Sequence, residues 1–199
     1  MARGRSLSDT SATGFLQVAE YDTSFERALP VVLFHEGGLS DDPSDPGGIT
    51  KFGVSVRFAG SVGIDINGNG RTTGEDIRAL TVDQATRLYF NYFWRPLRCT
   101  ELPPGVALIV FDGGVNQGRA AIAKLLQRAV GVAADGIIGR DTLHAVALWN
   151  DKLGDLVDEV AARRAPLRPD EKFRSLWSRL DAQAHARTRR GSGAARLNT

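Results

Sequence analysis

The chain has 199 residues, 42% hydrophobic and 24% charged, a balance that excludes wholesale disorder and allows about 70% of the unfolded surface to be buried. A single cysteine, Cys99, excludes a disulfide framework and a cysteine-built zinc site, and the three scattered histidines His35, His144 and His185 form no HxxxH or HExxH pair. The net charge of +2 hides an asymmetry: residues 163–199 hold ten Lys/Arg against three Asp/Glu (+7), leaving fifteen against twenty (−5) on residues 1–162.

A basic end on an acidic body points to an anionic partner such as a nucleic acid, lipopolysaccharide or a membrane surface. The alternative is a solvated helix face with a frayed terminus. Residues 1–22 are small and polar and read as disordered. No secretory leader is legible, and the longest early apolar run, residues 28–34, is too short to cross a bilayer.

Thr23 and Glu26 have capping-box spacing, and Phe25, Leu29, Val32 and Leu33 follow at helical spacing. They predict a helix kinked at Pro30 and stopped at Gly37-Gly38. Residues 40–57 are rich in Asp, Pro and Gly, with Ile49, Phe52 and Val54 predicting a small hairpin. After a glycine-rich stretch around 60–76, Thr81 and Gln84 open a helix carrying Tyr89, Phe90, Tyr92, Phe93 and Trp94, which stops before Pro96. Residues 103–117 and 119–130 read as helices parted near Gly118. Asp141 caps a helix over 142–149, and 153–165 and 170–190 complete the set. The class is mainly α with one small β element.

The chemistry-bearing segment is 35–53. Glu36 sits in the last turn of an apolar helix, where the negative end of the macrodipole raises a carboxyl pKa, and packing against apolar surface raises it further. A Glu kept protonated near neutral pH is what a general acid for glycoside cleavage requires. Asp45, nine positions on, is placed to face it, with Asp41 and Asp42 as further candidates for a second carboxylate. Spacing alone also allows a solvent-exposed acidic turn.

The order Glu36-Gly37-Gly38, Asp45-Pro46-Gly47-Gly48, Thr50 and Gly53 resembles the active-site signature of the glycoside hydrolase 108 family, bacterial and phage N-acetylmuramidases with a lysozyme-like fold. Tyr92-Phe93-Trp94, Pro103-Pro104 and Phe111-Asp112 with Val115-Asn116 and Gly118 match in the same order. Leu126-Gln127, Gly131, Asp135, Gly139 and Thr142-Leu143 resemble the peptidoglycan-binding region that follows in that family. The resemblance implies an α+β lysozyme-like fold, a helical bundle with a hairpin by the cleft. It makes Glu36 the general acid, with Asp45 and Thr50 holding or activating water, although these two lie five residues apart here against six in phage-type lysozymes. Tyr92, Trp94 and Asn116 become candidate sugar contacts, with Asp112 and Asn116 buttressing the helix beneath. The implied organisation is a disordered 1–22, a catalytic 23–118 with an insertion at 60–80, a peptidoglycan-binding-like 119–186 and a basic tail at 187–199.

The insertion carries its own pattern. Asp65, Asn67, Asn69, Thr73 and Asp76 stand at positions 1, 3, 5, 9 and 12 of a loop, with Gly70 at 6 and the Arg71 carbonyl at 7. That is the register of an EF-hand-type calcium loop, in its dockerin version because position 12 is Asp. The expected cofactor is a structural Ca²⁺ of modest affinity; a polar surface turn is the alternative. Most members of the resembled family carry a shorter connection here.

Cys99 has no flanking base, and the 89–94 aromatics suit a core better than a sugar platform, with Tyr92 and Trp94 the two that could stack on a sugar. Phe173, Leu176, Trp177 and Leu180 share one face of 172–190, ringed by arginines, and suit core packing or an outer-membrane-disturbing end. The expectation is an endolysin-type muramidase that causes bacterial lysis, waiting in a host cytoplasm and reaching the wall through a pore made by another protein. Its partners would be peptidoglycan and outer-membrane lipopolysaccharide, with no nucleic acid, and it would act as a monomer. A lytic transglycosylase using the same Glu36, or a non-catalytic wall-binding protein, are the alternatives.

Overall fold

A computed structural model of the chain describes residues 21–36 and 49–164. The expectations for Asp41, Asp42, Asp45, residues 170–190 and both termini lie outside the described residues. Within them the order is α1 (Thr23–Glu36), β1 (Thr50–Lys51), β2 (Val54–Ser55), α2 (Val56–Ser61), α3 (Gly74–Ala79), α4 (Val82–Tyr89), α5 (Pro104–Gln117), α6 (Arg119–Val130), α7 (Arg140–Ala147) and α8 (Leu153–Arg163). The described residues are mainly helical with one two-stranded antiparallel sheet, as the periodicity predicts.

The first helix starts on a different residue from the expected one. Phe25 N–H donates to Asp22 Oδ1 at 2.9 Å and Glu26 N–H to the Asp22 carbonyl at 3.1 Å, so Asp22 is the cap and Thr23 the first helical residue. The second Asp22 oxygen accepts from Thr100 Oγ1 at 2.6 Å and Trp94 Nε1 at 2.9 Å, partners that local spacing does not reveal. Pro30 does not end the helix. It is exposed, while Phe25, Ala28, Leu29 and Val32 bury the opposite stripe, and that burial outweighs one missing hydrogen bond.

Among the described residues the contacts divide the chain into two units, Tyr21 with 29–36 and 49–90, and Asp22–Ala28 with 91–164. The first holds the hairpin and α2–α4. Helix α2 is a single short turn capped by Ser55 Oγ, which accepts from Phe58 N–H at 3.1 Å; six residues are too few for periodicity to announce it. Helix α4 has the expected capping box, Gln84 N–H to Thr81 Oγ1 at 3.2 Å and Thr81 N–H to Gln84 Oε1 at 2.9 Å. Past Tyr89 the coil widens into a π-helical turn over Phe90–Trp94, a form that the spacing of the aromatics does not signal.

In the second unit α5 is buried along residues 105–114 and packs against α6 and α8. Close approach depends on Gly113, where an added Cβ would lie 2.5 Å from Ile122 Cδ1 on α6. Gly118, at φ +90°, breaks α5 from α6 where the sequence predicts. Helix α7 begins earlier than expected, with Gly139 at its cap and Asp141 inside its first turn. The loop before it is held by buried Gln127. Its Nε2 donates to Asp135 Oδ1 (2.7 Å), the Ile137 carbonyl (3.0 Å) and Thr142 Oγ1 (3.2 Å), and its Oε1 accepts from Gly136 N–H at 2.9 Å.

Candidate active site

Glu36 is the last residue of α1, and Thr50 is the first residue of β1. Thr50 pairs with Ser55 and Lys51 with Val54 across the hairpin. The two-residue loop is Phe52-Gly53 with φ of +51° and +73°, the signs of a type I′ turn, which matches the natural twist of short hairpins. Asn-Gly is the usual choice there, and phenylalanine enters the left-handed region at a cost. The conformation is held from outside: Tyr89 Oη donates to the Phe52 carbonyl at 2.9 Å, and Lys51 Nζ to the Arg78 carbonyl at 2.6 Å. The Lys51 ammonium also lies 5.5 Å from the centre of the Phe52 ring. Ile49, just before β1, occupies the space a Cβ on Gly74 would need, its Cδ1 being 2.8 Å from that position.

The candidate sugar contacts separate. Trp94 is 0% exposed and is no sugar platform, which corrects that expectation. Its ring meets Phe25 and Phe111 edge-on at 5.3 and 5.4 Å, and its N–H is taken by Asp22 and by Thr100 Oγ1 at 2.9 Å. An indole with its one donor satisfied inside an aromatic cluster is core. Tyr92 is half-buried, and burial pushes its phenol up while the nearby Arg119 charge opposes the shift. Asn116 is exposed on α5, its Nδ2 donating back to the Asp112 carbonyl (2.9 Å) and Oδ1 (3.1 Å). Asp112 in turn pairs with Arg164 at 2.6 Å. Arg164, only 4% exposed, belongs to the basic end in sequence but to the core in structure.

The 65–76 loop winds on its own backbone. Asp65 Oδ1 accepts from Gly68 and Asn69 N–H (2.8 and 3.0 Å) and its Oδ2 from Gly70 N–H (2.7 Å). Asn67 Oδ1 accepts from Asn69 N–H at 3.1 Å and Asn69 Oδ1 from Arg71 N–H at 2.9 Å. Asp76 is 0% exposed; its Oδ1 accepts from Ile66 and Asn67 N–H (2.9 and 3.1 Å), its Oδ2 from Thr73 N–H and Oγ1 (2.8 and 3.0 Å). Burial pushes this carboxyl up, but these bonds outweigh it and hold it below the usual range. Asp65, Asn67 and Asn69 oxygens keep further lone pairs, whereas four donors already fill those of Asp76. Among the described residues no group of three His, Cys, Asp or Glu is placed to hold a metal, and the loop supplies two carboxylates with amide, hydroxyl and carbonyl oxygens.

Cys99 is buried, and burial, then the Asp22 charge, pushes its thiol well above the ordinary range, so it is no thiolate nucleophile. No described helix is long and apolar enough to cross a membrane.

Residues 29–118 match the family described as Glycosyl hydrolase 108, a span that contains Glu36, Asp45, Thr50 and the whole 65–76 loop. The match ends at Gly118 and gives no support to a peptidoglycan-binding region beyond it. The solved structure of SagA from Brucella abortus is similar, with a TM-score of 0.62 and 32% identity over 82% of this chain and 94% of that one. No functionally curated protein matches. With that identity and coverage, the chain belongs to the glycosyl hydrolase 108 family, glycoside hydrolases that act on peptidoglycan.

Proposed function

We propose that the chain hydrolyses the β-1,4 bond between N-acetylmuramic acid and N-acetylglucosamine, with Glu36 as general acid. The observation that carries this reading is the order Glu36, Asp45, Thr50 inside the matched span 29–118. Glu36 gives its proton to the glycosidic oxygen as the bond breaks. Asp45 and Thr50 hold and activate a water on the opposite face of the sugar, so the anomeric centre inverts. Tyr92 and Asn116 contact the glycan in this reading, and Trp94 does not. Lysis of a bacterial host, release through a separate pore-forming protein, glycan contact by residues 119–186 and outer-membrane contact by residues 187–199 belong to the same reading.

Dye release from purified sacculi, with Glu36→Gln beside the wild type, tests it. The expected result is a variant that sediments with sacculi as the wild type does but releases dye at least about 100-fold more slowly. Equal release by both refutes the role of Glu36, and the absence of release from either favours a wall-binding protein.

The 65–76 loop is assigned to Ca²⁺ on its register and on the lone pairs left at Asp65, Asn67 and Asn69, with the Arg71 carbonyl and Thr73 completing the donor set. The engaged Asp76 must release N–H donors to serve as the twelfth-position ligand, so the affinity is modest. When bound, the ion supplies structural ties and takes no part in the chemistry. The melting temperature is expected to rise with millimolar Ca²⁺ and fall back with chelator, and this response should vanish in Asp65→Ala. No response in the wild type removes the site.

A further inference from the structure

We propose that Tyr89 is a positioning residue for the reaction, its hydroxyl fixing the central peptide of the hairpin that carries Thr50. The inference rests on the reading of Thr50 as a holder of the attacking water. Two-residue strands make too small a hairpin to fix their own turn. The turn is moreover made by a residue unsuited to it, Phe52 at φ +51°. Rotating the peptide between Phe52 and Gly53 by half a turn interconverts the I′ and II′ forms, and the atom that swings is the Phe52 carbonyl oxygen. That oxygen is the one Tyr89 Oη holds, at 2.9 Å and across 37 positions of sequence.

Tyr89 is suited to the task because it is anchored outside the hairpin, on a buried helix end. It is 2% exposed and sits at the end of α4 beside buried Leu88 and Ala85. Lys51 supplies a second tether to Arg78 on α3, but that bond fixes a strand residue and leaves the central peptide free to rotate. Strained, externally clamped turns gather at sites whose geometry chemistry requires. Thr50 pairs with Ser55 across the same hairpin, so holding the turn in one form fixes the twist of the strand pair that carries it.

The test uses the full chain and a soluble alternating N-acetylglucosamine–N-acetylmuramic acid oligosaccharide. Tyr89→Phe should lower kcat about 10-fold with KM changed less than about twofold, since misplacement of a reacting group costs rate more than binding. Combined with Thr50→Ala, it should add less than about a twofold further loss. Phe52→Asn, which makes the turn Asn-Gly and self-forming, should restore most of the kcat lost in Tyr89→Phe. Equal loss in the two Thr50 backgrounds, or failure of Phe52→Asn to restore rate, overturns the proposal. Wild-type kcat in Tyr89→Phe beside a crippled Thr50→Ala refutes the role of Tyr89 alone. Wild-type kcat in Thr50→Ala refutes the Thr50 reading and the proposal with it.

Discussion

Asp22 ties the start of α1 to residues more than 70 positions away, and its removal has a magnitude that follows from its bonds. One oxygen caps the helix through Phe25 N–H, worth about 1 kcal/mol. The other accepts from Thr100 and from the buried Trp94 indole. Without Asp22 the indole keeps Thr100 Oγ1 at 2.9 Å, so this side of the loss is limited to about 1 kcal/mol. Asp22→Ala is therefore expected to cost about 2 kcal/mol, a fall in Tm of about 4–8 °C for a chain of this size. Asp22→Asn keeps the cap and should cost about half as much. Burial pushes the Asp22 carboxyl up, but the bonds from Thr100, Phe25 N–H, Trp94 and Ser24 N–H bring it below its ordinary 3.8. A depressed carboxyl stabilises the folded state above pH 3.8 and loses that contribution as pH falls through the folded value. Melting curves from about pH 7 to about pH 2 should thus show the advantage of the wild type over Asp22→Asn shrinking only on the acid side. Asp22→Ala within about 0.5 kcal/mol of the wild type, or a wild-type advantage over Asp22→Asn that persists unchanged at about pH 2, refutes this account.

Gln127 uses three donor contacts and one acceptor contact on a single buried side chain. Gln127→Glu should therefore destabilise by about 3 kcal/mol in urea titrations, because a carboxylate cannot donate and faces Asp135. Gly113→Ala places a methyl 2.5 Å from Ile122 Cδ1 and 3.2 Å from its Cβ. The same titration should show a loss of about 1–3 kcal/mol, relieved when Ile122 is cut back to Ala, since valine would keep the γ carbon 2.6 Å from the new methyl. Arg164→Met leaves the buried Asp112 without its cation and should lower stability by about 3 kcal/mol, with less loss when Asp112→Asn accompanies it.

Much of this architecture is legible where signals are local. The Thr81–Gln84 capping box, the Pro-led start of α5 and the α5–α6 break at Gly118 depend on residues within one turn of each other, and they stand where the sequence places them. What escapes reading depends on distance. Spacing favours Thr23 as the cap of α1 because the case for Asp22 is made by Trp94 and Thr100. Trp94 stays a candidate sugar contact in the sequence, beside the core reading, because an aromatic run does not say which of its members turns inward. Arg164 counts with a basic end in sequence, yet it serves a carboxylate on α5. Register offers Asp76 as a metal ligand, and in the structure its carboxylate caps α3 and holds the start of the loop. The chemistry proposed for Glu36, by contrast, is legible only as an ordered set of residues, since a helix-end carboxylate followed by a turn is common in proteins without activity.

The measurement that tests the central claim most directly is mass spectrometry of soluble products from purified sacculi, with the wild type and Glu36→Gln in parallel. A hydrolytic muramidase predicts fragments with a reducing N-acetylmuramic acid end, present with the wild type and absent with the variant. Anhydro-muramic ends contradict hydrolysis and place the reaction with the transglycosylases, and reducing ends from both proteins contradict the assignment of Glu36.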